Sequence, residues 1–150
     1  MKYAILSASP KETQQIASCF IKSLLLSKPL KKGALVVSLE GNLGAGKTEF
    51  LKGVAHGAHC HEKIASPTFV LMKRFPLKSK NFSYLWHLDC YRLEHPQDLD
   101  ILGFSDLLAD PRNIIFIEWG NKIKSSLPKK HWTIKFKITG ARTRILEFSF

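Results

Sequence analysis

The stretch that most limits what this chain can fold into is EGNLGAGKTEFLKG, residues 40–53. It follows ALVVSLE, an almost wholly apolar, β-branched run that reads as a strand covered on both faces, as in a parallel sheet. A helix is expected directly after it, over about residues 47–55. Within the turn, Gly41, Gly46, Lys47 and Thr48 satisfy the full pattern G-x-x-x-x-G-K-[ST]. Each position has a physical reason. An anionic phosphate is surrounded by backbone N–H groups only where side chains leave room, which glycine provides. The N-terminus of the following helix adds free N–H groups and a positive dipole end. Lys47 can reach β- and γ-phosphates, and the Thr48 hydroxyl can bind Mg²⁺.

The remaining segments fit around that unit. Residues 2–6 form a short strand candidate, and SPKE at 9–12 reads as a helix start. Ser9 is the N-cap, Pro10 the first helical residue and Glu12 the partner in a capping box. Ile16, Cys19, Phe20 and Leu24 then recur at helical spacing. PTFVLMKRF (67–75), FSYLWHLD (82–89) and NIIFIEW (113–119) read as strands, with a helix over about 99–108. In 82–89, alternation puts Phe82, Tyr84, Trp86 and Leu88 on one face and Ser83, Leu85, His87 and Asp89 on the other. HWTIKFKI and RTRILEFSF alternate and are joined at 139–142, where Gly140 supplies the turn. The expected architecture is α/β: one P-loop NTPase domain over residues 1–150, with a mixed, mainly parallel central sheet and a C-terminal β-hairpin.

An NTPase also needs acids beside its metal. Glu118 closes NIIFIE, where a Walker-B carboxylate would stand, and Asp89 closes YLWHLD. Open α/β sheets place ligands at such strand ends, although an Asp before a turn is also ordinary turn chemistry. SPTF, at 66–69, read alone is a capped turn; in an NTPase, Thr68 would be the switch hydroxyl that senses the γ-phosphate and its metal. His56, His59, Cys60 and His61 crowd the end of the first motif's helix, but no second cluster with ligand spacing accompanies them, so they read as a solvated helix end.

Composition narrows the class further. No apolar run approaches the ~20 residues that cross a bilayer, and the first residues do not read as a signal peptide. Three widely spaced cysteines argue against a disulfide framework and fit a reducing cytoplasm. The formal net charge is +11, unevenly spread. Residues 94–110 hold five acids and no Lys or Arg, whereas from Lys122 onward eight bases face one acid, Glu147. A basic face suits nucleic acid or an acidic partner, or simply keeps the surface solvated.

GNLGAGKT (41–48), SPTFVL (66–71), HLDCYRL (87–93) and IEWGN (117–121), in this order, resemble the TsaE family, also called YjeE. These are bacterial P-loop ATPases of tRNA threonylcarbamoyladenosine biosynthesis. The first motif is generic; the combination is specific, and the likeness runs from the first helix to the final hairpin. The resemblance implies Mg²⁺-dependent ATP hydrolysis that resets a complex of two partner proteins, TsaB and TsaD, which modifies the adenosine beside the tRNA anticodon. It implies that Gly41, Asn42, Leu43, Gly44, Ala45, Gly46, Lys47 and Thr48 hold the nucleotide, with Thr48 and Glu118 on the metal. Asp89 would lie in the metal or water shell, Thr68 would be the switch residue, and Trp119 would stand beside the site. The turn carrying Ala141 would approach the adenine. Asn42 and Asn121 stand where many members carry an acid, which implies tuned activity. Competing readings are a small-molecule kinase, for which no lid-sized insertion is visible, and a nucleotide-gated module that binds protein or nucleic acid.

Overall fold

The computed structural model describes residues 1–60, 72–93, 95 and 97–150. Seven strands among these residues form one sheet: β1 (Lys2–Ser7), β2 (Leu35–Glu40), β3 (Met72–Pro76), β4 (Tyr84–Asp89), β5 (Asn113–Glu118), β6 (Trp132–Ile138) and β7 (Arg144–Ser149). The order across the sheet is β1-β7-β6-β2-β5-β4-β3. The four central strands β6, β2, β5 and β4 run parallel. β3, β7 and β1 join antiparallel, and β6–β7 is the expected C-terminal hairpin. The α/β class and the mixed sheet are as the sequence led us to expect.

Burial explains the apolar runs. All six residues of β5 are buried, as are Leu35–Leu39 of β2. Leu35, Val37, Leu39, Ile114 and Phe116 pack with helices α1 (Pro10–Leu26) and α2 (Lys47–Gly57), through Ile21, Phe50 and Val54. Val36, Ile115 and Ile117 face the other way, against Leu99, Phe104 and Ile123. Alternate residues thus enter two separate cores, which is why these strands show no polar alternation. β4 is also covered on both sides: Leu85, His87 and Leu88 are buried together, so the alternation in FSYLWHLD does not mark a solvated face.

α1 begins as its sequence directs. The Ser9 hydroxyl accepts from the Glu12 amide, and the Glu12 carboxylate accepts from the amide of Ala8. The expected helix over 99–108 is instead two short ones, α3 (Asp98–Ile101) and α4 (Phe104–Ala109). Gly103 divides them with φ +65°, a left-handed conformation that ends a helix. Of the expected strand 67–75, only the part from Met72 lies among the described residues. Residues 61–71, which include His61, Ser66 and Thr68, lie outside them, as does Glu94. Among the described residues no helix is long and apolar enough to cross a membrane.

Candidate active site

The register of the central strands builds the site. Leu39 of β2 lies opposite Glu118 of β5, which lies opposite Asp89 of β4. The carboxyl ends of three parallel strands therefore finish in one row, and the loop after β2 passes beside them into α2. The resulting open cleft has a volume of about 270 Å³, and its walls include Gly44, Gly46, Lys47, Thr48, Asp89 and Glu118.

The loop is left-handed and open where it enters α2. Gly46, the N-cap of α2, has φ +101°, and a Cβ built on it would meet nothing within 4 Å. The backbone is thus left-handed where glycine is favoured, and the space in front of it is open. No side chain caps α2. Its first N–H groups lack the acceptor that Ser9 gives α1, and an incoming phosphate oxygen is the natural substitute. Leu43 projects at the tip with 77% of its surface exposed, whereas Ala45 is buried beneath.

Lys47 is 5% exposed. Its ammonium donates to Gly41 O at 2.7 Å and Asn42 O at 3.0 Å, and sits 4.0 Å from the centre of the Trp119 indole. Burial pushes its pKa below the ordinary lysine value, and the Glu118 and Asp89 carboxylates oppose that shift. The lysine is held by its own loop in the wall of the cleft.

Glu118 is 3% exposed and is shared between two neighbours. Its Oε1 lies 3.0 Å from His87 Nε2, and its Oε2 lies 3.5 Å from the Thr48 hydroxyl. A hydroxyl and a carboxylate oxygen that close, with Asp89 on the same cleft, are a donor set suited to a hard divalent cation. Asp89 Oδ1 also accepts from the Tyr91 amide at 2.9 Å, a turn bond that fixes the chain leaving β4. Trp119 follows Glu118 in a left-handed conformation, φ +61°, which directs the chain away from the strand. Its ring packs on Tyr91, with centroids 5.2 Å apart.

The structure therefore brings Lys47, Thr48, Glu118, Asp89 and Trp119 together. Thr68 lies outside the described residues. Ala141 is exposed at the hairpin turn, beyond the described lining of the cleft. Asn42 is exposed and contributes its carbonyl to Lys47; Asn121 is exposed on the segment after Trp119. Two residues to which sequence reasoning gave no role stand at the site. One is His87, which opens the HLDCYRL motif two residues before Asp89 on a strand. The other is Arg144, which touches the loop from β7.

A parallel sheet, a glycine loop between strand and uncapped helix, and acids at adjacent strand ends define the α/β architecture of P-loop NTPases. Comparison with known proteins narrows this. The family model "Threonylcarbamoyl adenosine biosynthesis protein TsaE" matches residues 7–146. The tRNA threonylcarbamoyladenosine biosynthesis protein TsaE of Bacillus subtilis is 32% identical over 143 residues, covering 95% of this chain and 82% of that protein. The Rickettsia typhi protein of the same name is 36% identical, over 91% of this chain and 88% of its own length. Among solved structures, the crystal structure of Bacillus subtilis YdiB aligns with a TM-score of 0.71 at 28% identity, covering 99% of this chain and 84% of YdiB. The chain belongs to the TsaE family.

Proposed function

We propose that this protein hydrolyses ATP with Mg²⁺ in tRNA threonylcarbamoyladenosine biosynthesis, and that hydrolysis resets a TsaB–TsaD complex between rounds of modification. Family membership supports the pathway. The observation that carries the chemistry is the meeting of Lys47, Thr48 and Glu118 at the uncapped N-terminus of α2.

In this reading the backbone of residues 41–48 cradles the phosphates and Lys47 leaves its loop carbonyls to neutralise them. Thr48 and Glu118 would hold Mg²⁺, which when bound offsets the charge on the phosphate oxygens. His87 fixes Glu118 by occupying one carboxylate oxygen, so that the other faces Thr48. Asp89, half-exposed on the same cleft, would order a water molecule or the metal's hydration shell. Thr68 would report the γ-phosphate, and the turn at Ala141 would approach the adenine. The exposed lysines after Glu118 would face the assembly, which brings the protein to tRNA indirectly, in the cytoplasm. Two of them are already paired, Lys137 with Glu147 at 2.6 Å and Lys135 with Glu40 at 3.9 Å.

The test separates binding from hydrolysis. Glu118→Gln keeps the backbone cradle, so ATP affinity is expected to stay within about threefold while turnover falls by about a hundredfold or more. Equal losses of both would make Glu118 a structural residue at a strand end.

A further inference from the structure

Arg144 opens β7, and its guanidinium spans two segments about a hundred positions apart in sequence. Nε donates to Ala45 O at 3.2 Å and one terminal nitrogen donates to Gly44 O at 3.2 Å. The other terminal nitrogen donates to Gly140 O and Thr143 O, both at 2.8 Å. A single planar cation thus joins two carbonyls of the glycine loop to two carbonyls of the hairpin turn.

We propose that Arg144 is a positioning residue that presets the phosphate loop and couples it to the hairpin turn; this rests on the nucleotide-binding reading of the loop. A trans peptide is planar, so its C=O and the next residue's N–H point in opposite directions. Holding Gly44 O and Ala45 O toward Arg144 aims the N–H groups of Ala45 and Gly46 the other way. The Ala45 N–H is taken up by Asn42 O at 3.1 Å, which closes the loop on itself. That of Gly46 is turned away from Arg144, in a stretch of loop whose Gly44, Ala45 and Gly46 line the cleft. A loop already oriented does not have to be ordered when the anion arrives. The flexible glycines that admit the phosphate would otherwise make that ordering costly. Through the turn carbonyls, the same contacts make residues 140–143 sensitive to the state of the loop, so the hairpin tip would carry that state to the protein's surface.

A guanidinium can make four such bonds in its plane, and an ammonium cannot match that fork. Arg144→Lys therefore separates positioning from charge. Three proteins are compared without nucleotide: wild type, Arg144→Lys and Arg144→Gln. Tripolyphosphate affinity is read by calorimetry, and loop order by ¹⁵N heteronuclear NOE at residues 44–47 and 140–143. Both variants are expected to bind tripolyphosphate about tenfold more weakly, the equivalent of one charge-assisted bond. Both are also expected to show lowered NOE values in both segments. Should Arg144→Gln fail to fold, Arg144→Lys carries both readouts. If Arg144→Lys keeps its affinity within about twofold of wild type and its NOE values, the residue acts by charge alone and the inference falls. If the wild type binds neither tripolyphosphate nor ATP, the nucleotide reading fails, and the NOE comparison still decides whether Arg144 orders the loop.

Discussion

Replacing His87 by Leu removes the polar partner of a buried carboxylate and keeps an apolar side chain of similar bulk. His87 and Glu118 are 1% and 3% exposed, and their polar atoms lie 3.0 Å apart. The other side-chain contact of Glu118, to Thr48, is 3.5 Å long and at the limit of a hydrogen bond. A lone His87→Leu change therefore strands a buried charge. A hydrogen bond to a charged group contributes about 1.5–3 kcal/mol, and orphaning a buried charge costs about 3–5 kcal/mol. Because the carboxylate stands at the rim of an open cleft, where water can approach, we place the cost near the bottom of the second range, at about 3 kcal/mol. At about 2–4 °C per kcal/mol for a chain of this size, the midpoint should fall by about 6–12 °C. Glu118→Gln removes the charge, so adding His87→Leu to it should cost about 1 kcal/mol. The double-mutant cycle then gives a coupling of about 2 kcal/mol between two side chains 31 positions apart. Urea unfolding of the four proteins, followed by far-UV circular dichroism, measures it. Additivity within about 0.5 kcal/mol would show that His87 packs beside Glu118 without supporting it.

Gly120→Ala should lower stability by about 1–3 kcal/mol, as overpacking does. A Cβ there would lie 2.2 Å from Ser38 Oγ, on a fully buried side chain; an unchanged thermal midpoint would show that β2 and the turn after Trp119 separate easily. Cys90 is also buried, and desolvation first, then the nearby Asp89 charge, push its thiol up to about 12. At pH 8 about one molecule in 10⁴ carries the thiolate, so iodoacetamide should modify the exposed Cys19 and spare Cys90 until the chain unfolds; labelling of Cys90 at a rate near that of Cys19 in the folded protein would contradict this.

What the sequence disclosed was local. The glycine loop, the cap at Ser9, the buried strands β2 and β5 and the hairpin are each written in one short run of consecutive residues, because glycine turns, helix caps and two-sided burial all act over that distance. Glu118 and Asp89 were legible because strand ends are sites of known chemistry in such sheets. The break at Gly103 is also local, but a single glycine inside a helical segment is tolerated and does not by itself mark a boundary. His87 and Arg144 were not legible, because their roles depend on tertiary contact. A histidine on an apolar strand reads as core until the register places it two residues behind the carboxylate of the next strand. An arginine in an alternating strand reads as solvated until β7 brings it to carbonyls 99 and 100 positions earlier.

Under the proposed function the chain hydrolyses ATP, with Lys47 as the cation of the loop, in the service of a TsaB–TsaD complex. Its most direct test is phosphate release from ATP and Mg²⁺ by wild type and Lys47→Ala, each alone and with TsaB and TsaD. Measurable release by the wild type is expected, faster with the partners, with a loss of about a hundredfold or more in the variant under both conditions. Near-normal release by Lys47→Ala, or none by the wild type even with its partners, would overturn the proposed hydrolysis.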